Sequence, residues 1–392
     1  MGYMILATLE KWILQRRATL LGVGPMSRIC VDAAIELTNE SRIPLMLIAS
    51  RRQIDCEELG GGYVNNWTTQ TFADYVMEND KGGRIILARD HGGPWQNERE
   101  KTANLGLREA MESAKSSFTR DIDAGFQILH IDPSVDPHCV PTVDESLERM
   151  FELYEFCWSY ARRIGREIYF EVGTEEQTGS TNTPEELKYT LTKVEGFCRK
   201  NHLPFPTFVV IQTGTRVMEM RNVGSFASPI RVENELAAEI QVPMMIDICR
   251  GYGVYMKQHN TDYLDDESLR WHPRLGIHAA NVAPEFGVAE TKALLDTLIQ
   301  NRLEALADRF VALSLASGKW KKWMLPDTSA TDLDRALISG HYVFATEECT
   351  MIKKEAAHLF KGRSIDLDAT LKSAVKTSII RYLNEFRLVQ RS

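Results

Sequence analysis

Eight short β-rich runs recur along this chain, and each ends in a polar or glycine-rich cluster before a stretch carrying helix-start signals. They lie at 19–25 (TLLGVGP), 44–50 (PLMLIAS), 84–90 (RIILARD), 126–134 (FQILHIDPS), 167–175 (EIYFEVGTE), 207–214 (TFVVIQTG), 253–260 (GVYMKQHN) and 274–281 (RLGIHAAN). Helices fit between them. Ile29, Ala33 and Leu37 recur at spacing four within 27–39, and 71–78 follows a Thr-rich cap. A long helix is predicted over 97–123. The segment 142–165 opens on TVDE, a capping-box arrangement, and Thr183-Pro184-Glu185-Glu186 puts proline in a first turn. The segment 231–252 reads as helical but irregular.

Eight strands alternating with helices in one domain predict a (β/α)8 TIM barrel over residues 1–302. An open doubly wound sheet fits less well, because no GxGxxG turn follows the first run. From 303 to 392 the strand rhythm stops. That C-terminal region reads as helical (330–339, 345–359 and 367–386) and suits a cap or an oligomer surface, so a homo-oligomer is expected.

Composition narrows the partners. The chain is 44% hydrophobic and 26% charged over 392 residues, as in soluble globular proteins. A net charge of −8 with scattered basic residues gives no support for nucleic-acid binding. The apolar N-terminal stretch is too short to span a membrane, lacks a basic leader, and reads as an amphipathic helix. Seven cysteines without a CxxC pair suit a reducing compartment and argue against a thiolate zinc site. A cytoplasmic location is expected.

In such barrels the chemistry sits at the C-terminal strand ends. Those ends carry His91, His130, His259 and His278 together with Asp90, Asp132, Glu171, Glu175 and Gln212. Strand alternation groups Lys257 with His259 and Thr261, His130 with Asp132 and Ser134, and Glu171 with Glu175. Imidazoles with carboxylates and an amide suit a divalent ion, Zn2+ first, with Mn2+ or Co2+ as alternatives. Other residues have blander readings. His130 and His138 are taken as hydrogen-bonded structural histidines, Gly92-Gly93-Pro94 as a turn, and Glu176 as solvated. One of Arg51 and Arg52 is taken as a solvated loop residue, and the Trp320–Trp323 cluster as core or interface.

These motifs in this order resemble the GatZ/KbaZ family. They are a strand ending in Asp90-His91-Gly92, Asp132-Pro133-Ser134, Gly173-Thr174-Glu175, and the run His259 to Tyr263 (HNTDY). That family is described as the non-catalytic subunit of class II tagatose-bisphosphate aldolase and is related to class II fructose-bisphosphate aldolases and sugar 4-epimerases. The resemblance implies that Asp90 assists proton transfer and that His91 binds the metal. Glu175 and His259 would complete the metal site, with Gln212 where the aldolases carry a further histidine; His278 is the alternative ligand. Asp90 or Glu175 would move the proton, and Asp132 and Ser134 would hold hydroxyls.

The aldolases bind phosphate after the seventh and eighth strands, where this chain reads HNTDYLDDE and HAANVAPEF, acidic and without a glycine run. Positive charge stands instead at Arg51, Arg52, Arg89 and Arg216, which are expected to meet an anionic substrate group, Arg89 foremost. Lys257 and Asn281 join them as expected substrate contacts.

The resulting expectation is a divalent-metal-dependent enzyme acting on a ketose or ketose phosphate by aldol/retro-aldol chemistry, as an aldolase or 4-epimerase. The alternative is a non-catalytic supporting subunit for a separate catalytic aldolase chain. A pure support would have no need of an Asp/His/Glu/His set. A sugar-binding protein without turnover ranks third for the same reason.

Overall fold

The computed structural model describes residues 7–174, 181–228, 233 and 235–389. Eight parallel strands close on themselves: β1 (Leu20–Val23), β2 (Leu45–Ser50), β3 (Ile85–Gly92), β4 (Ile128–Ile131), β5 (Tyr169–Val172), β6 (Phe208–Val210), β7 (Tyr255–Gln258) and β8 (Ala279–Val282). Neighbours in this order pair throughout, and β1 meets β8 with Leu20 opposite Ala279 to shut the barrel. Helices cover the outside, so the strands are apolar on both faces; in β2 every residue from Leu45 to Ala49 is buried.

Helix starts follow the local signals. Ser27 accepts from the Cys30 N–H ahead of the helix Arg28–Ser41, and capping boxes at Thr142 and Thr183 open the helices Val143–Arg163 and Pro184–Asn201. The helix expected over 97–123 is two, Glu98–Thr102 and Leu107–Ala124, separated by a turn in which Asn104 is left-handed (φ 51°). Within the segment 231–252 the helix is Ala238–Tyr252, and a small hairpin ahead of that segment pairs Val217–Met218 with Arg221–Asn222.

The eighth strand differs most from the sequence reading. Residues Asp266–Leu275 form a helix that carries Pro273 within it and ends on Gly276 in the left-handed conformation (φ 93°). The strand therefore begins at Ala279, and His278 lies just before its start, at the other end of the barrel from the C-terminal strand ends.

Beyond the barrel, the helices Glu304–Ala316, Asp332–Ser339, Glu347–Phe360 and Leu367–Glu385 share the barrel's hydrophobic core. The last packs against Arg28–Ser41 and Pro284–Gln300, and sinks Leu371, Val375, Ile379 and Leu383. Each such side chain contributes about 1.5–3 kcal/mol of transfer free energy, so the extension is bound to the barrel rather than appended to it. Among the described residues no helix is long and apolar enough to cross a membrane. All seven cysteines are free thiols, six of them buried.

Candidate metal centre and active site

The site starts from an irregularity in β3. A regular strand sends successive side chains to opposite faces, so Asp90 and His91 should not share one. Between the pairs Arg89↔Leu129 and Gly92↔Ile131, however, β3 advances three residues while β4 advances two. The extra residue is a bulge, and His91 takes it up in a left-handed conformation (φ 48°). Both side chains then face the interior, with His91 Nε2 3.8 Å from Asp90 Oδ2. Gly93 allows the chain to leave closely: a Cβ there would lie 1.9 Å from the Asp132 carbonyl oxygen.

Around this pair the other strands deliver their ends. His130 on β4 accepts at Nδ1 from the His91 N–H (3.2 Å), and that nitrogen lies 3.8 Å from Asp90 Oδ1. His259, just past β7, places Nε2 3.9 Å from Asp90 Oδ1 and 2.8 Å from Glu171 Oε1. The rings of His91, His130 and His259 form a nearly equilateral triangle, with centroids 5.4, 5.1 and 5.2 Å apart. One ligand atom from each of Asp90, His91, His130 and His259 falls within 4.8 Å of every other. Asn281 at the end of β8 donates from Nδ2 to Asp90 Oδ1 (3.2 Å). Gly22 on β1 gives it room, since a Cβ there would lie 2.3 Å from Asn281 Oδ1.

The surroundings orient these groups. Asp132 Oδ2 accepts from His91 Nδ1 (2.6 Å) and Gln96 Nε2 (2.9 Å), while its Oδ1 accepts from the Ser134 N–H. Glu171 on β5 takes the Lys257 ammonium at 2.5 Å, and all three of Glu171, Lys257 and His259 are almost wholly buried. Thr215 Oγ1 donates to the His259 carbonyl and braces that rim.

The charges follow from this geometry. Burial would raise the Asp90 carboxyl, yet His91, His259 and His130 together hold it well below the usual carboxylate range. Burial likewise opposes charging of His91, but Asp90 and the Asp132 hydrogen bond raise it to about 9. Glu171 is held down to about 2 against its burial, mainly by Lys257. His259 is pushed down by burial, against the pull of Asp90 and Glu171.

The donor set fits a divalent ion. Three imidazoles and a carboxylate converge, His91 has its second nitrogen fixed by a carboxylate as ligating histidines do, and His130 Nε2 is buried without a hydrogen-bond partner. His130, read from sequence as a structural residue, is part of the cluster. Alternation with Asp132 was the signal for it. Glu171 is likewise in contact with the cluster, one turn of the alternation deeper than the rim.

The remaining expected residues fall in four groups. Glu175, expected as ligand and proton carrier, lies outside the described residues, as does Glu176. Gln212 is buried beyond β6, where its backbone bonds the Asn182 side chain and Gln241 Nε2. Arg216 is exposed at the base of the hairpin. His278 accepts at Nδ1 from the Met256 N–H at the floor of the barrel and is not in the cluster.

The arginines require correction. Arg89, expected to greet an anionic substrate, faces outward, because its neighbour Asp90 faces in. Its guanidinium is buried between barrel and helices on both oxygens of Asp121 (Nε–Oδ2 2.7 Å) and on the carbonyls of Ala49 and Ile54. Arg51 is also buried. It binds Asp55, Glu100 and the Gly93 carbonyl, and so pins the loop after β3 to the loop after β2. Of the three arginines near the third strand, Arg52 alone is left half-buried at the rim, where its charge is felt by His91.

Known structures share this architecture. A probable tagatose 6 phosphate kinase from Sinorhizobium meliloti 1021 superimposes with a TM-score of 0.71 at 18% identity, over 93% of this chain and 99% of that one. The likeness fixes the fold. The fructuronate-tagaturonate epimerase UxaE from Cohnella laeviribosi gives 0.59 at 12% identity, over 94% of this chain and 81% of its own. A fructose-bisphosphate aldolase from Campylobacter jejuni gives 0.56 at 9%, over 99% and 95%. No family model matches the chain, and no curated protein sequence does. These three solved structures share the barrel fold with this chain.

Proposed function

We propose that this chain is a divalent-metal-dependent enzyme that acts on a ketose or ketose phosphate by aldol/retro-aldol chemistry, as an aldolase or a 4-epimerase. The observation that carries the reading is the convergence of Asp90, His91, His130 and His259 at one mouth of the barrel. His91, His130 and His259 would hold the ion, Zn2+ first and Mn2+ or Co2+ as alternatives, and leave Asp90 beside it for the proton. When bound, such an ion polarises a carbonyl and its neighbouring hydroxyl.

The chain's own groups do the rest. Asp90, kept ionised, takes the proton from the carbinol hydroxyl whose carbon is to be released. The oxygen's electron pair becomes the new carbonyl, the adjacent C–C bond breaks, and its pair passes to the ketose fragment as an enediolate. Returning that proton and re-forming the bond on the other face of the aldehyde inverts the carbinol centre; release of the aldehyde, with the proton held on Asp90 delivered to the enediolate carbon, completes an aldol cleavage. Asp132 holds the His91 ring through Nδ1, and Ser134 and Asn281 would hold substrate hydroxyls.

The test uses the chain alone. Purified protein is expected to carry about one divalent ion per chain and to cleave or epimerise a ketose or its phosphate, followed by proton NMR; chelation abolishes turnover and Zn2+ restores it. Metal content unchanged in the His91→Ala, His259→Ala double variant, or turnover indifferent to chelation, overturns the reading.

A further inference from the structure

A second cavity, of about 700 Å3, opens between the loops after β2 and β3 and the segment that follows the helix Glu304–Ala316. Its lining includes seven basic residues and one carboxylate, Glu98. In a chain of net charge −8 this is a local reversal of sign. Arg51 is neutralised by Asp55 and Glu100, and Lys319 pairs with Glu98 at 3.5 Å. Arg52, Arg99, Lys321 and Lys322 have no carboxylate within ion-pair distance among the described residues.

Gathering uncompensated cations costs free energy unless an anion completes the set. The cluster is also held in place. Lys322 lies over the rings of Trp323 (4.8 Å) and Tyr342 (5.2 Å), and Arg99 packs so closely on Gly60 that a Cβ there would lie 2.0 Å from its guanidinium. Although part of its surface faces solvent, the recess around Lys322 and the charges of Arg52 and Lys319 pull its ammonium down to about 7, against Glu98. Arg51, which lines the cavity, bonds the carbonyl of Gly93 two residues past His91, so the cavity adjoins the mouth of the barrel.

We infer that this cavity is a phosphate-binding subsite, shared between the barrel loops and the helical extension, which holds the far end of the substrate while its carbinol carbon sits at the Asp90 and His91 centre. The inference rests on the proposed function for the second half of that statement alone. A phosphoryl group fits better than a carboxylate: it brings close to two negative charges and three equivalent acceptor oxygens, which two guanidinium forks and two ammonium groups can share. A single carboxylate would leave most of the positive charge unanswered.

The test measures inorganic phosphate binding to the metal-free full chain by calorimetry at low ionic strength, with acetate as the carboxylate probe. Phosphate is expected to bind, to weaken about tenfold in Lys322→Gln and in Arg99→Gln, and to be retained in Lys322→Arg, with each variant's thermal unfolding confirming a folded chain. Acetate is expected to bind at least about tenfold more weakly than phosphate. Phosphate affinity unchanged in both neutralised variants, or acetate binding as tightly as phosphate, overturns the subsite. Metal uptake, measured on aliquots of the same preparations reloaded with Zn2+, separates the two readings. Metal bound without phosphate binding removes the subsite alone, and phosphate binding in a chain that takes up no metal removes the proposed enzyme chemistry alone.

Discussion

Arg89 and Asp90 are adjacent on one strand, yet they belong to two buried charge clusters with opposite characters. On the outer face every donor of interest is answered: Arg89 meets both oxygens of Asp121 and two backbone carbonyls. On the inner face groups remain short of partners, with His130 Nε2 and Asn281 Oδ1 buried and unbonded. A polar cluster whose members satisfy one another resists change, whereas one left incomplete is ready for something that arrives. The outer cluster is structural and the inner one is the candidate site, although the residues differ by one position.

That contrast can be broken by experiment. Asp90→Asn keeps the shape and removes the base, so kcat/KM should fall by about 10²–10⁴ while the urea midpoint moves little. Turnover within a few-fold of wild type would erase the distinction between the two faces. Asp121→Ala does the reverse: it strands the Arg89 guanidinium in the interior and should cost about 3–5 kcal/mol in urea unfolding, with metal content preserved in the folded fraction. A loss below about 1 kcal/mol would mean that the outer pair is not the clamp described. Asp132→Asn, which alters only the group behind His91, should weaken metal binding by about 10–100-fold in competition with a chelator.

The smallest effect concerns a further buried carboxylate, which has neither character. Asp262 is buried, accepts from the Ala283 and Glu285 N–H groups, and is raised to about 7 by burial and by Glu285. Because its folded pKa exceeds its unfolded one, its stabilisation is complete below about pH 4 and is lost as pH rises through 7. Asp262→Asn should therefore flatten the stability profile across that window and gain about 1–2 kcal/mol over wild type at pH 8. A profile parallel to wild type would show that Asp262 is ionised in the folded chain.

The barrel was legible because its signals are local and repeated. Apolar runs, Thr and Ser caps, and polar strand ends each lie within a few residues, and each of the eight runs overlaps a strand of the barrel. What sequence reading missed depended on one competing rule in each case. Gly276 looked like a residue inside an eighth strand but ends a helix, and that shift carried His278 to the barrel floor. Arg89 was placed beside Asp90 in function, although alternation puts the two on opposite faces. His91 lies on the same face as Asp90 only through the bulge, a pairing between distant segments that no local pattern encodes. Arg51 and Arg52 read alike, and only the folded loops show that Asp55 and Glu100 claim the first and leave the second at the rim.

The bulge in β3 has a consequence for how such chains diverge. In a regular strand, exchanging one amino acid for another changes what a position carries but never which way it points. An Asp-His pair facing one way needs one residue more on β3 than on β4 between their flanking pairings. Such a site is gained or lost most directly by inserting or deleting a single codon, so in comparing related genes the telling difference here is a gap rather than a mismatch.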